Sequence, residues 1–264
     1  MKALFGNHSA VSAFKRTLDL IRGFGVGKTL GVCLAMVDDQ YLKSFDRSYG
    51  VRTSGFISLA STSFDPTKLH QATSYGPVNG WAFRKILKDL SLPHRLHFVD
   101  LGAGLGRPCI LAAEYGFEKV MGVELAPELC RVARENIASC RLPEGSKSRI
   151  DIIEGDILDY CEHTEDDVFF VYRPFSHQLF RQVCGKLAER AARQEKAVLI
   201  IHSERLSAGP SPEVQVLAEN RAFRKVYERN LFGQSFFAYE CGNVTEGVAA
   251  PCDRAPAVPA SALG

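Results

Sequence analysis

The stretch FVDLGAGLGR, Phe98 to Arg107, constrains this chain more than any other part of it. An apolar run ends in an acid, and Gly102, Gly104 and Gly106 follow at alternate positions. Glycines placed so closely serve a tight turn in which backbone can approach a ligand without a side chain in the way. Pro108 comes next, suited to the first turn of a helix because its missing N–H would be unpaired there anyway. The stretch reads as strand, turn and helix, the opening of a nucleotide-binding α/β unit.

The surrounding pattern extends that unit. Short apolar runs predict strands over 96–101, 118–124, 149–154, 167–172 and 196–202, with helices over 107–115, 126–138 and 176–193 between them. Alternation of this kind gives a parallel sheet covered by helices on both faces. A helix is expected upstream from about Pro77 to Leu90, and another over 211–219. FRKVYERN and SFFAYECG, joined around LFGQ, break the alternation and predict an antiparallel hairpin at the sheet's edge. Residues 1 to about 45 carry helical spacing, and Phe45 to Ser61 reads as a polar loop. The division expected is a helical and lid segment over 1–74, a core over 75–242, and a disordered Ala/Pro-rich tail over 243–264.

Which nucleotide the turn serves follows from its spacing. A dinucleotide turn runs Gly-x-Gly-x-x-Gly, whereas this one runs Gly-x-Gly-x-Gly and has Arg107 where the third glycine should stand. Asp100 would repel a pyrophosphate but suits a cation such as an amino group or a sulfonium. Glu124 closes KVMGVEL at a strand end, where a carboxylate can accept from both ribose hydroxyls. Asp156 closes IDIIEGD, within reach of an exocyclic amine. GFGVGKT, Gly23 to Thr29, imitates a phosphate loop, but the position that should hold its first glycine is Arg22 and no strand precedes it.

At this point the sequence resembles the class I S-adenosylmethionine-dependent methyltransferases, through VDLGAGLG, GVEL, EGDI, the FFVYRPF strand end and the closing hairpin, in that order. The resemblance covers roughly Tyr75 to Gly242 and implies a Rossmann-like seven-stranded sheet of order 3-2-1-4-5-7-6, strand 7 antiparallel. It implies S-adenosylmethionine as cofactor and S-adenosylhomocysteine as product. Asp100, Gly102 and Gly104 would take the methionine end, Glu124 the ribose, and Asp156 the adenine amine with the Ile157 backbone beside it, while Gly106 and Leu125 are further cofactor contacts. Tyr75 and Tyr172 are the aromatic cofactor contacts expected, Tyr75 over the methionine end.

The acceptor side is thinner. Many amino-group methyltransferases carry Asn-Pro-Pro-Tyr or Asn-Pro-Phe where this chain has Arg173, Pro174 and Phe175. Arginine cannot deprotonate an acceptor, but it can grip a carboxylate or phosphate. His177, and His202 with Glu204 after the fifth strand, are candidate bases near the carboxyl edge. FDRSYGVRTSG, Phe45 to Gly55, resembles a segment of bacterial methyltransferases without an assigned substrate, and Asp46, Arg47 and Tyr49 carry that match. It is expected either to close over the cleft as a lid or to pack as an ordered linker.

Composition closes off other classes. A net charge of +2 with no basic block gives no reason to expect a nucleic-acid partner. The eight cysteines include no Cys-x-x-Cys pair, the histidines do not cluster in sequence, and no metal ligands are assigned. With no export signal or membrane-length apolar run, a cytoplasmic protein without a membrane partner is expected. The function expected is methyl transfer to a small-molecule nitrogen or oxygen acceptor, one bearing an anion. The alternatives are a protein or peptide lysine acceptor, implied by a partial likeness to the non-SET histone lysine methyltransferases, and a cofactor-binding protein without catalysis. An NAD dehydrogenase is opposed by the glycine spacing and by Asp100.

Overall fold

The structure, a computed structural model, describes residues 42–55, 57, 75–172, 175–194, 196–205, 211–231 and 234–242. The helical reading of residues 1–41 and the tail at 243–264 lie outside them. So does most of the lid segment beyond Gly55.

Residues 42–49 form α1, and α2 spans Gly80–Leu90. The alternating core then runs β1 (His97–Leu101), α3 (Arg107–Tyr115), β2 (Lys119–Glu124), α4 (Pro127–Ser139), α5 (Glu144–Lys147) and β3 (Ile150–Glu154). It continues with α6 (Ile157–His163), β4 (Val168–Tyr172), α7 (His177–Gln194), β5 (Val198–Arg205) and α8 (Pro212–Glu219), and closes with β6 (Arg224–Leu231) and β7 (Gln234–Cys241).

The seven strands form one sheet of order β3-β2-β1-β4-β5-β7-β6. β1 to β5 pair in parallel, while β7 runs antiparallel to both β5 and β6. The expected Rossmann-like topology is therefore present, with its reversed strand. From β3 at one edge the chain returns to place β4 beside β1, which opens a crevice at their carboxyl ends.

Alternate residues along each central strand feed two cores, one on each face. Phe98 and Phe170 join Phe83 and Phe117 on one side, while Val99, Phe169 and Ile200 join Phe180 and Leu187 on the other. Both faces are buried, so HFVDL and VFFVY read as nearly unbroken apolar runs. The rings of Phe83 and Phe170 meet edge to face at 4.7 Å.

The structure corrects three expectations. The helix runs on past about residue 45 to residue 49, where a loop was expected: Phe45 and Tyr49, one turn apart, stack at 4.4 Å, and Gly50 at φ 70 ends the helix by donating to Asp46 O. α2 starts three residues later than expected, because Asn79 caps it by accepting from Ala82 N. β5 runs on to Arg205, so His202 and Glu204 lie within the strand, not after it. The short α5 and α6 were not anticipated, since neither is long enough to show a helical period. Among the described residues no helix is long and apolar enough to cross a membrane.

Candidate functional site

The glycine turn sits at the carboxyl end of β1. Gly102, Gly104 and Gly106 have φ of 84, 54 and 82, so all three use the left-handed region that other residues avoid. Gly102 and Ala103 donate to Val123 O at 2.8 and 3.0 Å, which ties the turn to β2. Gly106 then caps α3, and a Cβ there would lie 3.4 Å from that of Ala133, so α3 and α4 meet closely at this point.

Three acids line the ends of adjacent strands. Glu124 is 8% exposed; one oxygen accepts from Gly104 N at 2.8 Å, the other from Leu125 N and Ala126 N at 2.9 Å each. Burial pushes its carboxyl above the ordinary range, and these three N–H groups pull it partly back. In this arrangement the carboxylate braces the turn, with lone pairs left over for further donors. Asp100 is 2% exposed, and its neighbour among side-chain donors is the Cys109 thiol at 4.0 Å. Burial, and then the nearby charge of Glu124, push Asp100 well above the usual carboxylate range. Asp156 caps α6 by accepting from Leu158 N at 2.8 Å, and Ile157 begins that helix as a buried residue. Leu125 is half-buried against Leu105 and Leu129.

Tyr75 lies directly over the turn. A Cβ added to Gly104 would fall 2.3 Å from the Tyr75 ring, so ring and glycine backbone are in contact. The Tyr75 hydroxyl donates to Thr53 O at 2.7 Å, and its backbone bridges to Ile57. Burial pushes that hydroxyl far above its ordinary pKa, so it stays a donor.

Thr53 leads to a residue the sequence analysis used only as a spacing marker. Arg107 is 1% exposed and donates through Nε to Thr53 Oγ1 at 2.8 Å. Its other nitrogens reach Val78 O, Leu42 O, Ser54 Oγ and Asp46 Oδ1 at 3.1–3.3 Å, and the guanidinium sits 4.5 Å from the Phe45 ring centre. Asp46 in turn accepts from Thr53 N, Thr53 Oγ1 and Ser54 N. FDRSYGVRTSG is thus bound to the first turn of α3 through one buried arginine, with Arg141 donating to Arg47 O at 2.9 Å and Asn136 accepting from Arg52 N at 2.8 Å. The signal for Arg107 was an arginine embedded in an apolar helix start.

On the acceptor side, Arg173 and Pro174 lie outside the described residues. Phe175 is buried against Phe180, with ring centres 6.1 Å apart. His177 opens α7 and is exposed. The Tyr172 hydroxyl accepts from Gln234 Nε2 at 2.9 Å, and Gln234 Oε1 accepts from Asn79 N at 3.3 Å, joining β4, β7 and α2. Nothing in the sequence marked Gln234. His202 is fully buried, with Nε2 3.4 Å from Glu204 Oε2. Burial alone would raise the Glu204 carboxyl, but hydrogen bonds from His202 and Ser211 hold it below its ordinary value. Candidate residues thus gather in two places: around the turn at β1 to β3, and at the ends of β4 and β5.

Residues 99–198 match the family model described as methyltransferase domain, and residues 54–142 match the one described as histone methylation protein DOT1. The tRNA1(Val) (adenine(37)-N6)-methyltransferase of Actinobacillus pleuropneumoniae serotype 7 is 29% identical over 156 residues, 58% of this chain and 64% of that protein. The ribosomal protein L11 methyltransferase of Carboxydothermus hydrogenoformans is 38% identical over 68 residues, 26% of this chain and 21% of that one. The chain therefore spans less than two thirds of the length of these relatives. Among solved structures, an RNA methyltransferase from Salinibacter ruber, in complex with S-adenosyl-L-homocysteine, has a TM-score of 0.47 at 18% identity, covering 63% of this chain and 94% of that one. The methyltransferase-domain match, over residues 99–198, lies on this sheet order and glycine turn, which are those of the Rossmann-like class I, S-adenosylmethionine-dependent methyltransferases.

Proposed function

We propose that the protein transfers a methyl group from S-adenosylmethionine to a nitrogen or oxygen nucleophile. The observation that carries this reading is the row of acids at the ends of three neighbouring parallel strands, Asp100, Glu124 and Asp156. Register sets Asp100 beside Gly122 and Glu124 beside Glu154, so the acids step diagonally across the strand ends, each one strand over and two residues further on, an extended row suited to a nucleoside carrying an amino acid.

The chain's own groups fit that cofactor. Asp100, buried and without a cationic partner among the described residues, suits the ammonium and sulfonium end. Glu124 would accept from the ribose hydroxyls, and Asp156 with the Ile157 N–H would hold the adenine. Gly102, Gly104 and Gly106 let the backbone approach, while Leu125 and Tyr172 would flank the ligand. When bound, the cofactor supplies an electrophilic methyl group, so the protein's work is to align the acceptor and exclude water. Tyr75 over Gly104, and the segment held by Arg107 behind it, serve the second task. Phe175 and His177 stand just past the end of β4, from which an acceptor would approach, and Arg173 and Pro174 of the same stretch are proposed to share that role.

The acceptor in this reading is a small molecule bearing an anion. A second reading, an RNA or protein acceptor, is favoured by the names of the relatives: a tRNA adenine methyltransferase, a ribosomal protein methyltransferase and a histone methylation family. Incubation with methyl-labelled S-adenosylmethionine and fractionated cell extract separates the two. Label in the small-molecule filtrate supports the first; label lost to ribonuclease or protease supports the second; no incorporation in any fraction contradicts methyl transfer itself.

A further inference from the structure

The end of β5 and the start of α8 hold three side chains that methyl transfer does not require. His202 and Glu204 are two residues apart on β5, so they point to the same face of the sheet. Both are buried, at 0% and 6% exposure. Glu213, half-buried, lies in the first turn of α8 and faces them. One donor atom from each of the three residues lies within 4.8 Å of the other two.

Two features make this arrangement incomplete as it stands. Two carboxylates share a site largely withdrawn from water, and among the described residues neither is paired with a lysine or arginine. His202 Nδ1 is also buried, with no hydrogen-bond partner among the described residues. A fully buried imidazole with one nitrogen left over is uncommon, because buried polar atoms are nearly always satisfied. A single cation held between the two carboxylates and His202 Nε2 would neutralise the carboxylates.

We propose that His202, Glu204 and Glu213 bind one divalent transition-metal ion of the Zn2+ or Mn2+ class. One imidazole nitrogen with two carboxylate oxygens is a donor set for such ions, whereas Ca2+ and Mg2+ favour oxygen alone. The 3.4 Å between His202 Nε2 and Glu204 Oε2 is close to the separation of two ligands each about 2.1 Å from a tetrahedral ion. Three protein ligands leave at least one position for water or an anionic ligand. The ion would pin the end of β5 to the start of α8, two strands from β1 and so apart from the cofactor row. This site stands whether or not the protein transfers methyl groups.

The test uses full-length protein without an affinity tag, stripped with EDTA and equilibrated with Zn2+ or Mn2+, with bound metal measured by elemental analysis. One ion per chain is expected. Affinity should fall by about tenfold or more in Glu204→Gln and in Glu213→Gln, and metal should raise the melting temperature of the wild type but not of Glu213→Gln. Glu213 is half-buried at a helix start, so that variant should melt with the wild type in EDTA, which separates loss of a ligand from loss of fold. Absence of stoichiometric binding overturns the proposal. So does binding that Glu213→Gln leaves unchanged, or equal affinity for Ca2+.

Discussion

At the scale of single residues, Asp100 carries the opposition between stability and binding. Its carboxyl is held well above the ordinary range by burial and by Glu124. An acid raised in the folded state contributes fully only below its unfolded pKa of about 3.9, and its contribution is lost as pH rises toward the folded value. Asp100→Asn should therefore stabilise the free protein at neutral pH, a gain that fades in acid. The same variant should bind S-adenosylhomocysteine about tenfold or more weakly, because the ammonium loses its carboxylate. Thermal melts across pH, with a ligand titration of each protein, check both signs. Asp100, Glu124 and Asp156 were legible because each closes an apolar run, where a charge has no core role to play. Glu213 was not: it meets His202 and Glu204 only through the packing of α8 on the sheet, which leaves no mark in local sequence.

At the scale of elements, α1 and the residues after it are held to α3 by Arg107. Truncation to alanine removes the donor from the buried Thr53 hydroxyl and from the carbonyls of Leu42 and Val78, and takes the cation from half-buried Asp46. Arg107→Ala should cost about 3–5 kcal/mol, and Arg107→Lys should not restore it, since one ammonium cannot reach five acceptors on different sides. Hydrogen exchange should show amides of residues 42–55 losing protection before those of β1 and β4. The strands and long helices were legible from apolar period and caps to within a few residues. α1 was not, because FDRSYGVRTSG is polar in composition; its helix rests on the Phe45–Tyr49 stack and on contacts with distant α2 and α3. β5 ran past its expected end because His202 and Glu204 face a buried surface that antiparallel pairing with β7 extends to Arg205.

At the scale of the whole molecule, the sheet order was legible because the ordered motifs resemble the class I methyltransferases, and that resemblance implies the order. The acceptor was not, because methyl transfer asks for alignment rather than a fixed set of acids and bases. Arg173, where many amino-group enzymes carry asparagine, marks that difference. The central claim is that the turn at Gly102 to Gly106, with Asp100, Glu124 and Asp156, is a site for S-adenosylmethionine. Calorimetric titration of the purified protein with S-adenosylhomocysteine, and with NAD as comparison, tests it most directly. Saturable binding of S-adenosylhomocysteine at one site per chain, absent for NAD, is the result expected. Binding of NAD in its place, or of neither, would contradict it.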